Sequence, residues 1–357
     1  MRGVWLPPDG NNQKSSVTQW IGLVEAKITY HSPNVVHPYS GKDRKGNIWG
    51  KVVPYQTKKE ESKDVWNLIW RAGANANTVF SISHDVLING QKLAAGKYGL
   101  FMIARENEWT IIFSKEFRSW GAFAYDKKED VLRINVKPER DTSKQWLNYE
   151  FIEKENDKAT VQMKWDTVKI PFQITVPNAK ELYVERIRSD LKYGARWESS
   201  LLIKAVDFCI ENKINLEEAL TWANNAISYG FNGQKSFRHY NSKSEVLRLL
   251  GRKQEAEETF KEALKMLPPD ATAIYWEGRM LIHMGLNEKA MLLFQHNKKL
   301  YPKQKFDVNL GLAHGYKALK YDQKTIKHLK LVLKHLPMDK ENTKSFYITW
   351  LDQLKKK

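Results

Sequence analysis

Ser83-His84-Asp85 brings together the three residue types of a hydrolase triad: a nucleophilic hydroxyl, a base, and a carboxylate to orient it. A working triad converges from separate segments, whereas neighbours on a strand point to opposite faces. On that reading Ser81 and Ser83 share one face and His84 lies on the other, so the tripeptide is not expected to act. Gly90-Gln-Lys-Leu-Ala-Ala-Gly96-Lys97 has the outline of a phosphate loop. Five residues separate its glycines, Tyr98 stands where Ser or Thr would hold magnesium, and a strand follows instead of a helix. His31, His37 and Asp43 are expected in a polar loop beside Lys42, Arg44 and Lys45, whose charge opposes a metal ion. Asp126, Glu129 and Asp130 cluster in an expected hairpin turn, with too few oxygens for calcium. No cofactor or metal is expected.

Two groups point to binding instead. Trp70, Arg71, Asn75, Trp120, Tyr125 and Arg133 mix aromatic rings with guanidinium groups, a surface suited to glycans or carboxylates. Further on, Asn241, Lys243, Ser244, Arg248, Tyr275, Glu277, Arg279, Asn309, His314 and Lys317 fall on the first helices of repeated helix pairs. In such stacks the first helices line a groove, where mixed polar residues can clamp a peptide or its terminal carboxylate.

The elements that position these groups follow from two different periods. Val161, Met163 and Trp165 alternate with polar residues, as do Phe172, Ile174 and Val176; Leu132, Ile134 and Val136; and Leu147, Tyr149 and Phe151. Alternation puts one face in a core and the other in water, as in antiparallel sheets. Asn89-Gly90 is a strong hairpin signal. Short strands with regular turn signals predict a β-sandwich. Pro177-Asn178 marks a boundary, and the period then becomes helical, beginning with Leu182, Ile187 and Leu191. The expected organisation is a flexible tail over 1–13, a β-sandwich over 14–177, and a helical-repeat domain over 178–357 with a closing helix from Thr343.

The helical half repeats at about 34–37 residues, the period of stacked helix pairs. Tyr240, Leu247, Gly251, Ala256, Phe260, Ala263 and Pro268 are echoed by Gly278, Leu281, Gly285, Ala290, Phe294 and Pro302. The pattern resembles the tetratricopeptide repeat, which implies a solenoid that holds other proteins. An earlier pair is degenerate, and a later one ends at Pro337 with Tyr316 and Leu329 in core slots.

The 357 residues carry 58 Lys and Arg against 41 Asp and Glu, a net charge of +17. From Lys298 to Lys357 there are 15 Lys against 5 Asp and Glu, or +10, which can steer an acidic partner. Nucleic acid is not expected, because these lysines lack aromatic interleaving or a recognised nucleic-acid fold. One cysteine, Cys209, excludes an intrachain disulfide and a cysteine zinc site. No apolar run reaches membrane-span length. Met1–Gln13 lacks the apolar segment of a secretory signal.

A second resemblance covers most of residues 14–176. Lys14-Ser-Ser-Val-Thr-Gln-Trp-Ile-Gly22, Trp70-Arg-Ala-Gly-Ala-Asn75, Ser83-His-Asp-Val86, Leu93-Ala-Ala-Gly-Lys-Tyr-Gly99, Trp120-Gly121, Tyr125-Asp126 and Asp130-Val-Leu-Arg133 occur in order. Together they resemble the bacterial "domain of unknown function 2911" family. Members often carry a C-terminal helical-repeat region, which Asn212-Lys-Ile-Asn-Leu-Glu-Glu-Ala-Leu-Thr-Trp222 resembles. The resemblance implies an envelope protein, usually exported, and implies no reaction; the missing signal keeps the cytoplasm as an alternative. The expected function is non-catalytic binding or scaffolding of a protein or peptide through the repeat groove. The alternatives are a glycan-binding module in the β-sandwich and a hydrolase. Oligomeric state is not readable from the residues.

Overall fold

The computed structural model describes residues 12–57, 68–194, 198–228 and 233–356. Among the described residues the period-two stretches form ten strands: β1 (Gln13–Ile21), β2 (Val24–Ser32), β3 (Thr78–Ile82), β4 (Val86–Ile88), β5 (Gln91–Leu93), β6 (Gly96–Ile103), β7 (Trp109–Ser114), β8 (Asp130–Val136), β9 (Glu139–Ile152) and β10 (Lys158–Thr175). They make a six-stranded sheet in the order β1-β2-β3-β6-β7-β8 and a four-stranded sheet in the order β5-β4-β10-β9. All paired strands are antiparallel. Of the expected tail, residues 1–11 lie outside the described residues, and Gln13 already belongs to β1.

Alternating side chains bury one large core, including Ile28, Phe80, Leu100, Phe113, Ile134, Tyr149, Met163 and Phe172. Asn89 (φ 46°) and Gly90 (φ 83°) both take positive φ between β4 and β5, as a tight hairpin between right-twisted strands requires. The alternating sets around Trp165 and Phe172 turn out to be one strand, β10. Val161, Met163 and Trp165 are buried at odd positions, and Val168, Ile170, Phe172 and Ile174 at even ones. The change occurs at a bulge around Asp166, whose φ is 48°. The buried Asp166 carboxylate accepts the Gly46 backbone N–H at 2.8 Å and the Ser143 hydroxyl at 3.3 Å.

Simple alternation fails in β6 and β7, because both of their faces are covered. Leu100, Met102, Ile111 and Phe113 face the inter-sheet core. Phe101, Ile103 and Ile112 sit in a second cluster with Ile69, Ala122 and Tyr125. Two-sided burial produces a near-continuous apolar run instead of an alternating one.

The helical elements are α1 (Ala179–Lys192), α2 (Ser199–Asn212), α3 (Leu216–Ser228), α4 (Phe237–Leu249), α5 (Lys253–Lys265), α6 (Ala271–His283), α7 (Asn287–Leu300), α8 (Lys305–Ala318), α9 (Asp322–Lys334) and α10 (Lys344–Lys355). Two compact units divide at Tyr183 and Val184. In the first, Ala179 and Leu182 at the start of α1 pack on the sheet core. In the second, α2/α3, α4/α5, α6/α7 and α8/α9 form successive pairs, and α10 closes the stack through Tyr347, Leu351 and Leu354. This is an antiparallel β-sandwich followed by a tetratricopeptide-like α-solenoid.

The pattern's small residues have a steric reason. Gly251 (φ 80°) and Gly285 (φ 77°) end α4 and α6 in the left-handed region, a conformation that glycine adopts without Cβ strain. Phe294 on α7 is fully buried against backbone at Gly278 of α6 and at Gly311 and Gly315 of α8. A Cβ at those three positions would lie 2.2, 2.6 and 2.9 Å from ring atoms of Phe294. No described helix is long and apolar enough to cross a membrane.

Candidate functional site

The β-unit candidates fall into separate places. Trp70 extends the sheet beyond β3, exchanging two 2.8 Å backbone hydrogen bonds with Met102 of β6. Its ring joins a cluster with Trp49, Trp109 and Trp165; it stacks with Trp165 at a centroid distance of 6.2 Å and an interplanar angle of 18°. Arg71 follows, half-buried, with Nε shielded from solvent and without a hydrogen-bond acceptor. Burial lowers the guanidinium's pKa from its usual value.

Asn75 (φ 56°) accepts the Gly121 N–H on its carbonyl, and neighbouring Ala76 bridges to Trp120. Trp120 is exposed. Gly121 gives Arg71 room, since a Cβ there would stand 3.0 Å from Arg71 Nη1. Tyr125 and Arg133 are engaged with each other. Arg133 Nε donates to Asp130 Oδ2, Arg133 Nη2 donates to the Tyr125 hydroxyl, and that hydroxyl donates to the same carboxylate oxygen, each at 2.6 Å. Burial and Asp130 raise the Tyr125 pKa, so the phenol keeps its proton. This knot covers the outer face of β6, where the Tyr125 ring lies 5.3 Å from Phe101.

Trp70 and Arg71 instead border a cleft of about 310 Å³ between the 33–54 loop and the 68–74 segment. His37, Arg44, Gly73 and Trp165 also line it. Arg44 Nε and Nη2 donate to the Val35 and Asn34 carbonyls at 3.0 and 2.8 Å.

The other sequence candidates find local roles. Ser83-His84-Asp85 lies in the turn after β3, not on a strand, so its neighbours need not point apart: Ser83 Oγ is 2.9 Å from His84 Nδ1. Asp85 accepts the Ala95 N–H at 2.8 Å and so ties the turn to the β5–β6 connection. His31 is a buried residue of β2 and not a loop residue, because β2 runs on to Ser32 against β1. His37 Nδ1 accepts from the backbone of Tyr39 and Ser40. Asp126 caps the short turn Lys127–Glu129 through the Lys128 N–H. Among the described residues no three or more His, Cys, Asp or Glu side chains are grouped to hold a metal. Cys209 is buried, which pushes its thiol pKa up to about 11.

In the helical unit several expected groove residues lie between helices. Asn241, Ser244 and Tyr275 are buried because their faces of α4 and α6 meet neighbouring helices. Arg248 pairs with the buried Glu245, which Lys289 of α7 also contacts at 3.1 Å. Burial alone would raise the Glu245 pKa, but Arg248 and Lys289 hold it below the usual range. Lys243 is half-exposed; Asn309 Oδ1 accepts from His328 Nδ1 at 2.8 Å; and Lys317 pairs with Asp322 at 3.3 Å.

Arg279 Nη1 lies 2.7 Å from His314 Nε2 and 3.0 Å from Nδ1. A guanidinium can only donate, so the imidazole must present a lone pair and be neutral. Burial, reinforced by Arg279, lowers its pKa to about 3. Glu277 on the same helix is pushed the opposite way, its carboxyl pKa raised by burial and by Asp207 against the pull of Arg238.

Glu245 and Lys289 escaped the sequence reading, although Glu245 precedes Arg279 by one repeat. So did His239, whose two ring nitrogens bond two serine hydroxyls. Ser236 Oγ lies 2.6 Å from Nδ1, Ser199 Oγ lies 2.6 Å from Nε2, and the Ser199 hydroxyl donates to the Ala226 carbonyl. This chain of bonds ties α2, α3 and α4 together and puts the imidazole proton on Nε2.

Comparison with curated proteins finds no match. Among solved structures, the MamA protein is 17% identical over 46% of this chain and 84% of that one, with a TM-score of 0.26. YrrB, described as a TPR protein with an unusual peptide-binding site, is 16% identical over 45% and 80%, with a TM-score of 0.24. MamA from Desulfovibrio magneticus RS-1 is 17% identical over 44% and 95%, with a TM-score of 0.23. In the β unit, residues 12–174 match the family described as Protein of unknown function (DUF2911).

Proposed function

We propose that the helical-repeat unit is a docking platform for a peptide segment of a protein partner, and that the chain acts by binding and scaffolding. One observation carries this reading. Aromatic rings run across three helices, from Trp276 through Tyr275, His314 and Trp350 to Phe346, with centroid spacings of 5.1, 5.9, 4.7 and 6.3 Å. Both ends open to water, Trp276 at 62% and Phe346 at 61% exposure. Rigid aromatic side chains supply contact area at low ordering cost, which is why they anchor interfaces. The lysine excess from Lys298 onward favours an acidic segment by steering its approach.

A phage-displayed peptide library selected on the full chain tests the platform. Enriched peptides should carry an apolar anchor beside acidic residues. They should bind Trp276→Ala with Phe346→Ala at least about tenfold more weakly, since a buried interface aromatic contributes on the order of 2 kcal/mol. No enrichment, or equal binding to the double variant, refutes the reading.

A further inference from the structure

The polar side chains that line the cleft in the β unit are mostly donors. Arg71 Nε and Trp165 Nε1 belong to residues that line it, and both are buried without an acceptor. Trp165 is only 2% exposed. Unmet buried donors cost free energy unless a ligand or water supplies the acceptor. His37 adds a third donor: its Nδ1 is taken by backbone N–H groups, so its neutral ring carries the proton on Nε2. No Asp or Glu is among the described residues that line the cleft.

From these features we propose that the cleft binds a small carboxylate carried on a six-membered ring. Arg71 presents its guanidinium edge to the carboxylate, and the half-buried Trp70, backed by Trp165, flanks the ring. Two of the three guanidinium nitrogens of Arg44 are already spent on backbone carbonyls, so Arg71 is the guanidinium assigned to the ligand's carboxylate. A volume of about 310 Å³ stands at the small end of ligand sites and suits a single ring. Pro33, Pro38 and Pro54 give the remaining wall rigid apolar surface. The inference is independent of peptide docking on the helices.

Fluorine NMR on the full chain tests it, with 4-fluorobenzoate, its neutral amide 4-fluorobenzamide, and D-glucuronate as competitor. The acid should bind saturably and at least about tenfold more tightly than the amide, the discrimination expected of a charge-assisted hydrogen bond. Arg71→Gln should remove that preference, and Arg248→Gln on the helical unit should leave it intact. Displacement by D-glucuronate assigns the site to uronic acids; its absence assigns it to aromatic acids. Equal binding of acid and amide overturns the proposal, as does a failure of both fluorobenzoate and glucuronate to bind at millimolar concentration. A normally melting Arg71→Gln protein that keeps the acid preference overturns it as well. If that variant does not fold, the acid–amide comparison on the unaltered chain decides.

Discussion

Replacing Gly278 by alanine should destabilise the helical unit even though alanine is the better helix former. The propensity gain is about 1 kcal/mol. Against it, the new methyl would stand 2.2 Å from Phe294 Cε1 and 2.4 Å from Cζ, whereas carbon atoms pack at about 3.5–4.0 Å. The ring would have to withdraw by more than an ångström. It cannot do so freely, because its other edges already press on Gly311 and Gly315 of α8. Overpacking of this kind costs about 1–3 kcal/mol, and a blocked retreat belongs at the upper end. The net loss should be about 2 kcal/mol. Urea unfolding of the full chain, followed by helical circular dichroism, measures it. Phe294→Leu is the necessary partner, since a smaller side chain should accommodate the methyl. The double variant should then be more stable than the sum of the single effects by at least about 1 kcal/mol. A neutral or stabilising Gly278→Ala, or strict additivity with Phe294→Leu, would refute the steric argument.

Three further outcomes are expected. His314 takes up a proton at about pH 3 when folded and near 6.5 when unfolded, so its contribution is present above pH 6.5 and lost as the pH falls toward 3. Relative to His314→Gln, the unaltered protein should lose roughly 1.4 kcal/mol per pH unit across that window, measured by urea midpoints. The carboxyl of Glu277 is harder to ionise when folded, so Glu277→Gln should raise the melting temperature at pH 7, and that advantage should fade as the pH falls through the folded pKa toward 4.5; an advantage independent of pH would show that ionisation is not the cause. Gly99→Ala would place a methyl 2.0 Å from the Glu116 carbonyl oxygen, and melting of the β unit should register a loss of about 3 kcal/mol or more.

Local periodicity made both halves of the fold legible. Leu132, Ile134 and Val136 announced a half-buried strand, and Gly251 and Gly285 recurred at matching positions of successive helix pairs. The bulge in β10 was not legible in the same way. Two alternating runs out of step read equally well as two strands, and only pairing with β9 joins them. The site was partly legible. Trp70 and Arg71 drew notice as an aromatic–guanidinium pair, but Trp165 enters the cleft from β10 and Arg44 from a loop. Such convergence depends on contacts distant in sequence. Asn241 and Tyr275 were correctly placed on first helices, yet a helical position alone does not say whether a neighbouring helix covers it.

The bulge at Asp166 also bears on how this chain can change its length. Trp165 and Val168 both face inward although an odd step separates them, because the bulge absorbs it. A one-residue insertion or deletion between them keeps the Val168–Ile174 row inward only if the bulge is lost with it, and otherwise turns the whole row toward solvent. Most indels are absorbed by loops, but here parity itself is under constraint. The same carboxylate that marks the joint also holds Gly46 in the loop bordering the cleft, so an error of one residue would disturb strand and loop together.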